Sequence, residues 1–343
     1  VPILDSETAD QLRTGAKIIG TGPFRVTSWT PNSGLRFDRH EQSWVPERPF
    51  ADAGEVKVIT DAKALLSSLR SGQIQFANGL GSVDIENLTK SGGYDTITLE
   101  GAEQQLYVGS NVTAEPLNDV RVRKAIAYAL DRDRVVDEVL RGAGYAVNLP
   151  WPKYSPAYDE RANSTYALDT AKAKALVAEV GTIPTLPLTY PATPVLTATA
   201  ALVQANLAAI GITVELDPID PAQFVKLLIG AEFKGLWVTN HSWAQYTPST
   251  LTVSAYPFNA HKNASQYDDE TYTKNADAAW EVSDGTSASA KQAYAAVSKD
   301  LLDAVFLAEI AVFFPQWVSA ATLHGTSYTK RAEVQLTDAW LAS

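Results

Sequence analysis

Between Phe233 and Thr250 the chain reads FKGLWVTNHSWAQYTPST, and Trp237, Asn240, His241, Trp243, Gln245 and Tyr246 fall within ten residues. Aromatic faces beside amide and imidazole groups equip a site that stacks and orients a polar small molecule. The pattern is that of a strand ending there and opening into a loop that contains Pro248. Trp237 reads equally well as a core residue of that strand. Trp151 and Asn148, in and beside the proline-rich stretch Leu149–Ser155, form a second aromatic platform with an amide. Groups that could break bonds are scarcer. Asp268, Asp269 and Glu270 could pair for hydrolysis. Adjacent carboxylates at the start of a helix more often cap it and complement its dipole. His40, His241, His261 and His324 show no HxH or HExxH spacing, which speaks against a zinc enzyme. His241 and His261 alone make a poor nickel site. Gly20-x-Gly22 is followed by Pro23 and a strand, and Gly79-Leu80-Gly81 lacks the Lys of a nucleotide loop. Both read as turns, and no cofactor is expected.

Composition narrows the classes further. The chain has 343 residues, long for one hydrophobic core, so two lobes are expected. Hydrophobic residues make up 45% and charged residues 20%, as in ordinary folded proteins rather than disordered ones. The net charge of −11 opposes a nucleic-acid surface, which needs clustered Lys and Arg. The absence of Cys removes disulfides, thiol nucleophiles and thiolate metal sites together. The most apolar run, Leu301 to Val318, is broken by Asp303, Glu309 and Pro315, so it is no membrane span. Val1 as first residue points to a cut N-terminus, and any secretion signal would lie upstream of this sequence.

The elements that must position these groups change character along the chain. Phe24–Trp29 and Leu35–Arg39 flank the turn tetrad Pro31–Gly34 and predict a hairpin. Glu55–Thr60, Gln73–Ala77, Thr96–Leu99 and Gln105–Asn111 read as strands, and the segments from Asp61 to Leu69 and from Ser82 to Lys90 as short helices. After Asn118 the apolar spacing becomes helical: Val122, Ile126, Ala129 and Leu130 share a face behind the cap Asp119. Val135–Leu140, Ala171–Val180, Leu196–Ile210, Pro221–Ile229, Glu270–Val282 and Ala288–Ala304 continue it, with strands at Ile212–Leu216 and Glu309–Phe314. Alternation of helix and strand makes this part α/β. The expected organisation is one lobe from 1–109 and 314–343 and an α/β lobe from 110–313.

Several segments, in order, resemble the family 5 extracellular solute-binding proteins, the peptide, nickel and oligosaccharide receptors of ABC importers. They begin with Gly20-Thr21-Gly22-Pro23-Phe24, then Trp29, Arg39 and Trp44. Residues Ala64 to Ile74 (ALLSSLRSGQI) follow the family's A-L-x-x-G-E-I pattern. Asn111, then Pro116 to Arg132 (PLNDVRVRKAIAYALDR), is similar to its N…P-F-x-D-x-R-V-R-x-A-x-x-x-A-I-D-R signature. Asp169–Leu176 and Ile210–Glu215 add to this.

The resemblance implies a two-lobed periplasmic-binding-protein-like fold (type II, cluster C-like) with the N-terminal portion absent. It implies a receptor rather than an enzyme, closing two lobes on a peptide or similar polar oligomer and docking on a membrane permease. A monomer outside the cytoplasm is expected, anchored to the membrane through a missing N-terminal segment. The resemblance places Asn111 near the hinge and gives Arg121 and Arg123 packing and ion-pair roles. It reads Trp243-Ala244-Gln245-Tyr246-Thr247-Pro248 as the cleft loop W-x-A-D-Y-x-D-P. Gln245 then stands where peptide receptors carry the Asp that holds the ligand's α-ammonium. Gln supplies no charge, and charge-assisted bonds are about twice as strong as neutral ones. No Arg occurs between Arg161 and Arg331 to clamp a carboxylate. Both features shift the expectation toward a neutral ligand such as an oligosaccharide.

Overall fold

The structure is a computed structural model that describes residues 8, 10–11, 18–45, 47–242 and 247–342. Among these, the residues up to Ile97 and from Gln316 onward form one unit, and Thr98–Pro315 form the other.

In the first unit, strands β1 (Phe24–Thr30), β2 (Gly34–Arg39) and β3 (Ala53–Lys57) make an antiparallel sheet in sequence order. Its first turn is the anticipated one, and Asn32 takes a φ of 60° there, a conformation Asn tolerates. Helix α1 (Ala62–Arg70) begins where Asp61 accepts a hydrogen bond from the Ala64 amide at 2.7 Å. Leu65 and Leu69 of α1 then pack with Ile85 and Leu88 of α2 (Ser82–Ser91). Strands β4 (Phe76–Asn78) and β5 (Tyr94–Thr98) complete this part of the chain.

The second unit is built on a six-stranded mixed sheet. Its elements are β6 (Gln104–Ser110), α3 (Val120–Ala129), β7 (Gly144–Ala146), α4 (Thr170–Val180), β8 (Leu186–Pro191), α5 (Pro194–Ala209), β9 (Val214–Ile219), α6 (Pro221–Gly230), β10 (Leu236–Ser242), α7 (Pro248–Ser254), α8 (Glu270–Trp280), α9 (Ala288–Ala304) and β11 (Leu307–Phe313). The strand order is β7-β11-β6-β10-β8-β9. β6 lies antiparallel to both β10 and β11, whereas β8 runs parallel to β10 and β9. The chain then returns to the first unit as β12 (Gln316–Ala320), which pairs with β4.

Side chains alternate across a strand, so β6, β10 and β11 each feed two cores. Leu106 and Val108 of β6, Val238 of β10 and Leu188 of β8 join Val122 and Ile126 of α3 and Val203 and Leu207 of α5 in an aliphatic core. Tyr107 of β6 and Trp237 of β10 face the other way. They join Trp151, Phe224, Phe233, Phe258, Tyr272 and Phe306 in an aromatic one. Gly109 makes the second core possible. A Cβ there would meet the Trp237 ring at 2.1 Å, so only glycine lets the indole lie across β6.

Three observations differ from the sequence reading. The boundaries expected at 109/110 and 313/314 fall at 97/98 and 315/316, because β6 pairs with β10 and β11 and so belongs to the α/β unit. The strands β8 and β12 were not anticipated. Where a loop was expected after Pro248, α7 forms instead, with the Thr247 amide donating to Thr250 Oγ1 at 2.7 Å.

Candidate functional site

The antiparallel register of β6 and β10 decides which candidate residues can meet. Asn240 lies opposite Leu106, His241 opposite Gln105 and Ser242 opposite Gln104. One end of the sheet therefore gathers Gln104, Asn240, His241 and Ser242, directly before the segment 243–246. Trp243, Gln245 and Tyr246 lie outside the described residues.

Asn240 and His241 are neighbours in sequence and so point to opposite faces of the sheet. Asn240 Nδ2 donates to Gln104 Oε1 at 2.5 Å, which ties the two amides across the strands. His241 turns toward the aromatic core, 6.0 Å from the Phe258 ring in an edge-on arrangement. Burial disfavours its charged form and lowers its pKa to about 4. At neutral pH it is an uncharged imidazole. This end of the sheet presents amide, imidazole and hydroxyl groups that can exchange hydrogen bonds with a polar ligand.

The remaining candidates sit elsewhere. Trp151 is fully buried, and its indole N–H donates to Ser298 Oγ at 2.8 Å. Its faces belong to the aromatic core, so it is not the exposed platform its proline-rich surroundings implied. Asn148 is buried as well, its side-chain oxygen accepting from the Tyr166 amide at 2.5 Å. Trp237 is buried and stacks on Phe233 with ring centroids 4.4 Å apart. Asn111 follows the far end of β6, seven residues beyond Gln104, or roughly 23 Å at ~3.3 Å per residue. There its Nδ2 donates to the Phe233 carbonyl at 2.8 Å and its Oδ1 accepts from the Thr113 amide at 3.0 Å. It fastens a turn at the end of the sheet opposite to the one expected from a hinge position.

The carboxylates follow the capping reading. Asp269 accepts from the Tyr272 amide at 2.9 Å as the N-cap of α8. Asp268 and Glu270 line a surface cavity of about 680 Å³ together with His261 and Asp277. His261 and Asp277 themselves pair at 2.9 Å. Among the described residues, no group of three or more His, Cys, Asp or Glu is arranged to hold a metal ion. The signature arginines also resolve. Arg121 is exposed and pairs with Asp119 at 2.7 Å, whereas Arg123 is buried and donates to the carbonyls of Leu117 and Ala304.

Sequence reasoning missed a polar group on the aromatic face. Glu309 of β11 lies directly opposite Tyr107, and Gln105 is two residues away on the same face. All three are buried. Burial raises the Glu309 carboxyl well above the usual carboxylate range, against a weaker pull from Arg132. Burial raises the Tyr107 hydroxyl too, with the Glu309 charge adding to it. The Trp237 indole opposes that rise from nearby without reaching hydrogen-bond geometry. The only signal in the sequence was one carboxylate inside the apolar strand LAEIAVF.

Comparison with known proteins follows the same lines. The family described as bacterial extracellular solute-binding proteins, family 5 middle, matches residues 2–269. The chain is 26% identical over 280 residues to di/tripeptide-binding protein 3 of Pseudomonas aeruginosa (strain UCBPP-PA14), covering 78% of this chain and 51% of that protein. It thus spans about half the length of the curated relatives it matches. It is similar in structure to the dipeptide-binding protein of Pseudoalteromonas sp. SM9913 in complex with Met-Leu. That match has a TM-score of 0.84 and 17% identity over 99% of this chain and 69% of the other. A second likeness is to the PBP AgaA of A. tumefaciens R10 in complex with agropinic acid. Its TM-score is 0.81, with 19% identity over 94% of this chain and 67% of the other. The fold is a mixed α/β, periplasmic-binding-protein-like one.

Proposed function

The chain belongs to the bacterial extracellular solute-binding proteins of family 5, and from that premise we propose that it is the ligand-capturing receptor of an ABC importer. Its ligand is a peptide or a similar polar oligomer, which it takes up outside the cytoplasm and delivers to a membrane permease. Within this reading Asn240 and His241 contact the ligand together with Trp243, Gln245 and Tyr246. Trp151, Trp237, Asn148 and Asn111 hold the frame on which those residues stand.

The observation that carries the reading is the chemistry of the sheet end. Gln104 and Asn240 are tied on one face there, an uncharged His241 lies on the other, and Ser242 ends the strand, so the end offers hydrogen-bond donors and acceptors. Such a set orients a ligand by hydrogen bonds. The peptide class is supported by relatives named for di- and tripeptide binding. A second reading, an oligosaccharide, is favoured by Gln245 at the position read as the ammonium-binding Asp.

A thermal-shift series of the mature protein with di- to pentapeptides and cello- and xylo-oligosaccharides separates the two. The correct class stabilises the protein by about 2.7 kcal/mol at a hundredfold excess over its Kd, and Asn240→Ala weakens the effect. Stabilisation by sugars alone transfers the proposal to the second reading. Stabilisation by neither class overturns both.

A further inference from the structure

Three adjacent side chains on the aromatic face of the six-stranded sheet leave polar atoms without a hydrogen bond. These atoms are Oε1 and Oε2 of Glu309, Oε1 of Gln105 and the hydroxyl of Tyr107. Glu309 is 2% exposed and the other two 0%. A polar group that is buried without a hydrogen bond is costly, so three in one place call for a compensating partner.

The register explains why the side chains do not compensate one another. Glu309 and Tyr107 are directly opposite, with Cβ atoms about 4.5–5.5 Å apart, and Gln105 lies diagonally at about 7–8 Å. The Tyr107 ring packs edge-on against Phe258 with centroids 6.1 Å apart, and the Trp237 indole acts on its hydroxyl. Gln105 is turned by its Nε2, which donates to the Pro150 carbonyl at 3.3 Å. A bulge between Glu309 and Ala311 shifts β11 against β6 at this point and widens the ladder locally. Thr239 and His241 of β10, opposite Tyr107 and Gln105, extend the polar row across a third strand. Arg132 is the cation that acts on Glu309. Its Nε and Nη1 are engaged by the carbonyls of Val147, Ala127, Tyr166 and Glu309 itself.

We propose that Glu309, Tyr107 and Gln105 form an internal hydration site, in which ordered water bridges the Glu309 carboxyl to the Tyr107 hydroxyl and the Gln105 amide oxygen. The set is rich in acceptors, and a water molecule donates two hydrogen bonds while accepting from a hydroxyl or a protonated carboxyl. Buried waters typically make about three bonds to groups that are otherwise unsatisfied. The bridge ties β6 to β11 across the bulge, beside the strand β10 that leads into residues 243–246. It stands whatever class of ligand the protein takes.

A high-resolution crystal structure of the unaltered protein should show water within about 2.7–3.2 Å of at least two of the three side chains. Direct side-chain bonds among them would overturn the site, and so would an ion ringed by five or six oxygens. Melting temperatures give an independent reading. Glu309→Gln keeps a polar anchor and should leave the Tm within about 1 °C, whereas Glu309→Leu strands the other two groups and should lower it by about 2–4 °C or more. A Glu309→Leu protein that melts higher than the parent would mark Glu309 as an uncompensated acid and refute the bridge.

Discussion

The two faces of the six-stranded sheet are made from alternate residues of the same strands, yet their contents differ. Leu106, Val108, Leu188, Val238 and Ile310 fill one face with aliphatic side chains under α3 and α5. The other face carries Tyr107, Trp237 and Leu307 together with Gln105, Thr239 and Glu309. On the first face the buried core is apolar, and α3 and α5 cover it. On the second, large rings leave irregular spaces in which polar groups are buried at a cost. The costly face is also the one toward which His241 turns at the end of β10. The difference teaches that alternate residues of the same strands build an aliphatic core on one face and, on the other, an aromatic core that also buries polar groups whose partners must be found case by case.

Substitution can break that contrast. The largest effect is expected at Trp237, which is fully buried and stacked on Phe233. Trp237→Ala should destabilise the protein by about 3–5 kcal/mol in urea unfolding, against about 2–5 for Leu188→Ala on the aliphatic face. If Trp237→Ala costs less than Leu188→Ala, the aromatic face is the looser of the two and the contrast reverses.

A second test uses pH. His241 binds its proton at about pH 4 when folded and near 6.5 when unfolded. Between those values the unfolded chain holds more protons, so stability falls as the pH drops through this window, by up to about 3 kcal/mol. His241→Gln should flatten the acid side of the stability profile, and an unchanged slope would show that the ring is not held in its neutral form by burial. Glu309 has the opposite sign. Its raised pKa means that stability is lost as the pH climbs above the ordinary carboxylate range, so Glu309→Gln acts on the alkaline limb instead.

The smallest effect sharpens the comparison by leaving the sheet altogether. Asp269 caps α8 through the Tyr272 amide, so Asp269→Ala should cost about 1 kcal/mol and leave ligand affinity unchanged. Loss of binding, or turnover of peptides or sugars that disappears in this variant, would return Asp268, Asp269 and Glu270 to consideration as a catalytic group.

Much of the framework was legible because its signals are local. Asp61, Asp119 and Asp269 announce helix starts, and each accepts a hydrogen bond from a backbone amide of its own helix. The first hairpin follows from the turn residues between β1 and β2. The candidate site was legible only in part. Asn240 and His241 do reach one end of a sheet, but Trp151 lies in the core because Ser298, 147 residues away in sequence, receives its indole N–H. Asn111 is drawn to the Phe233 carbonyl by a pairing across 122 residues. No local pattern encodes such partners.

The sequence alone determined the alternation of helix and strand, the caps that start the helices, the family and the absence of thiol chemistry, since all of these rest on residue type and short spacing. The tertiary structure decided which strands are neighbours, and with that nearly everything about the site. Register set Asn240 and His241 on opposite faces, brought Glu309 against Tyr107 and required glycine at position 109 beneath Trp237. Strand pairing is a property of distant segments brought together, and a side chain's partner is known only once its neighbour strand is.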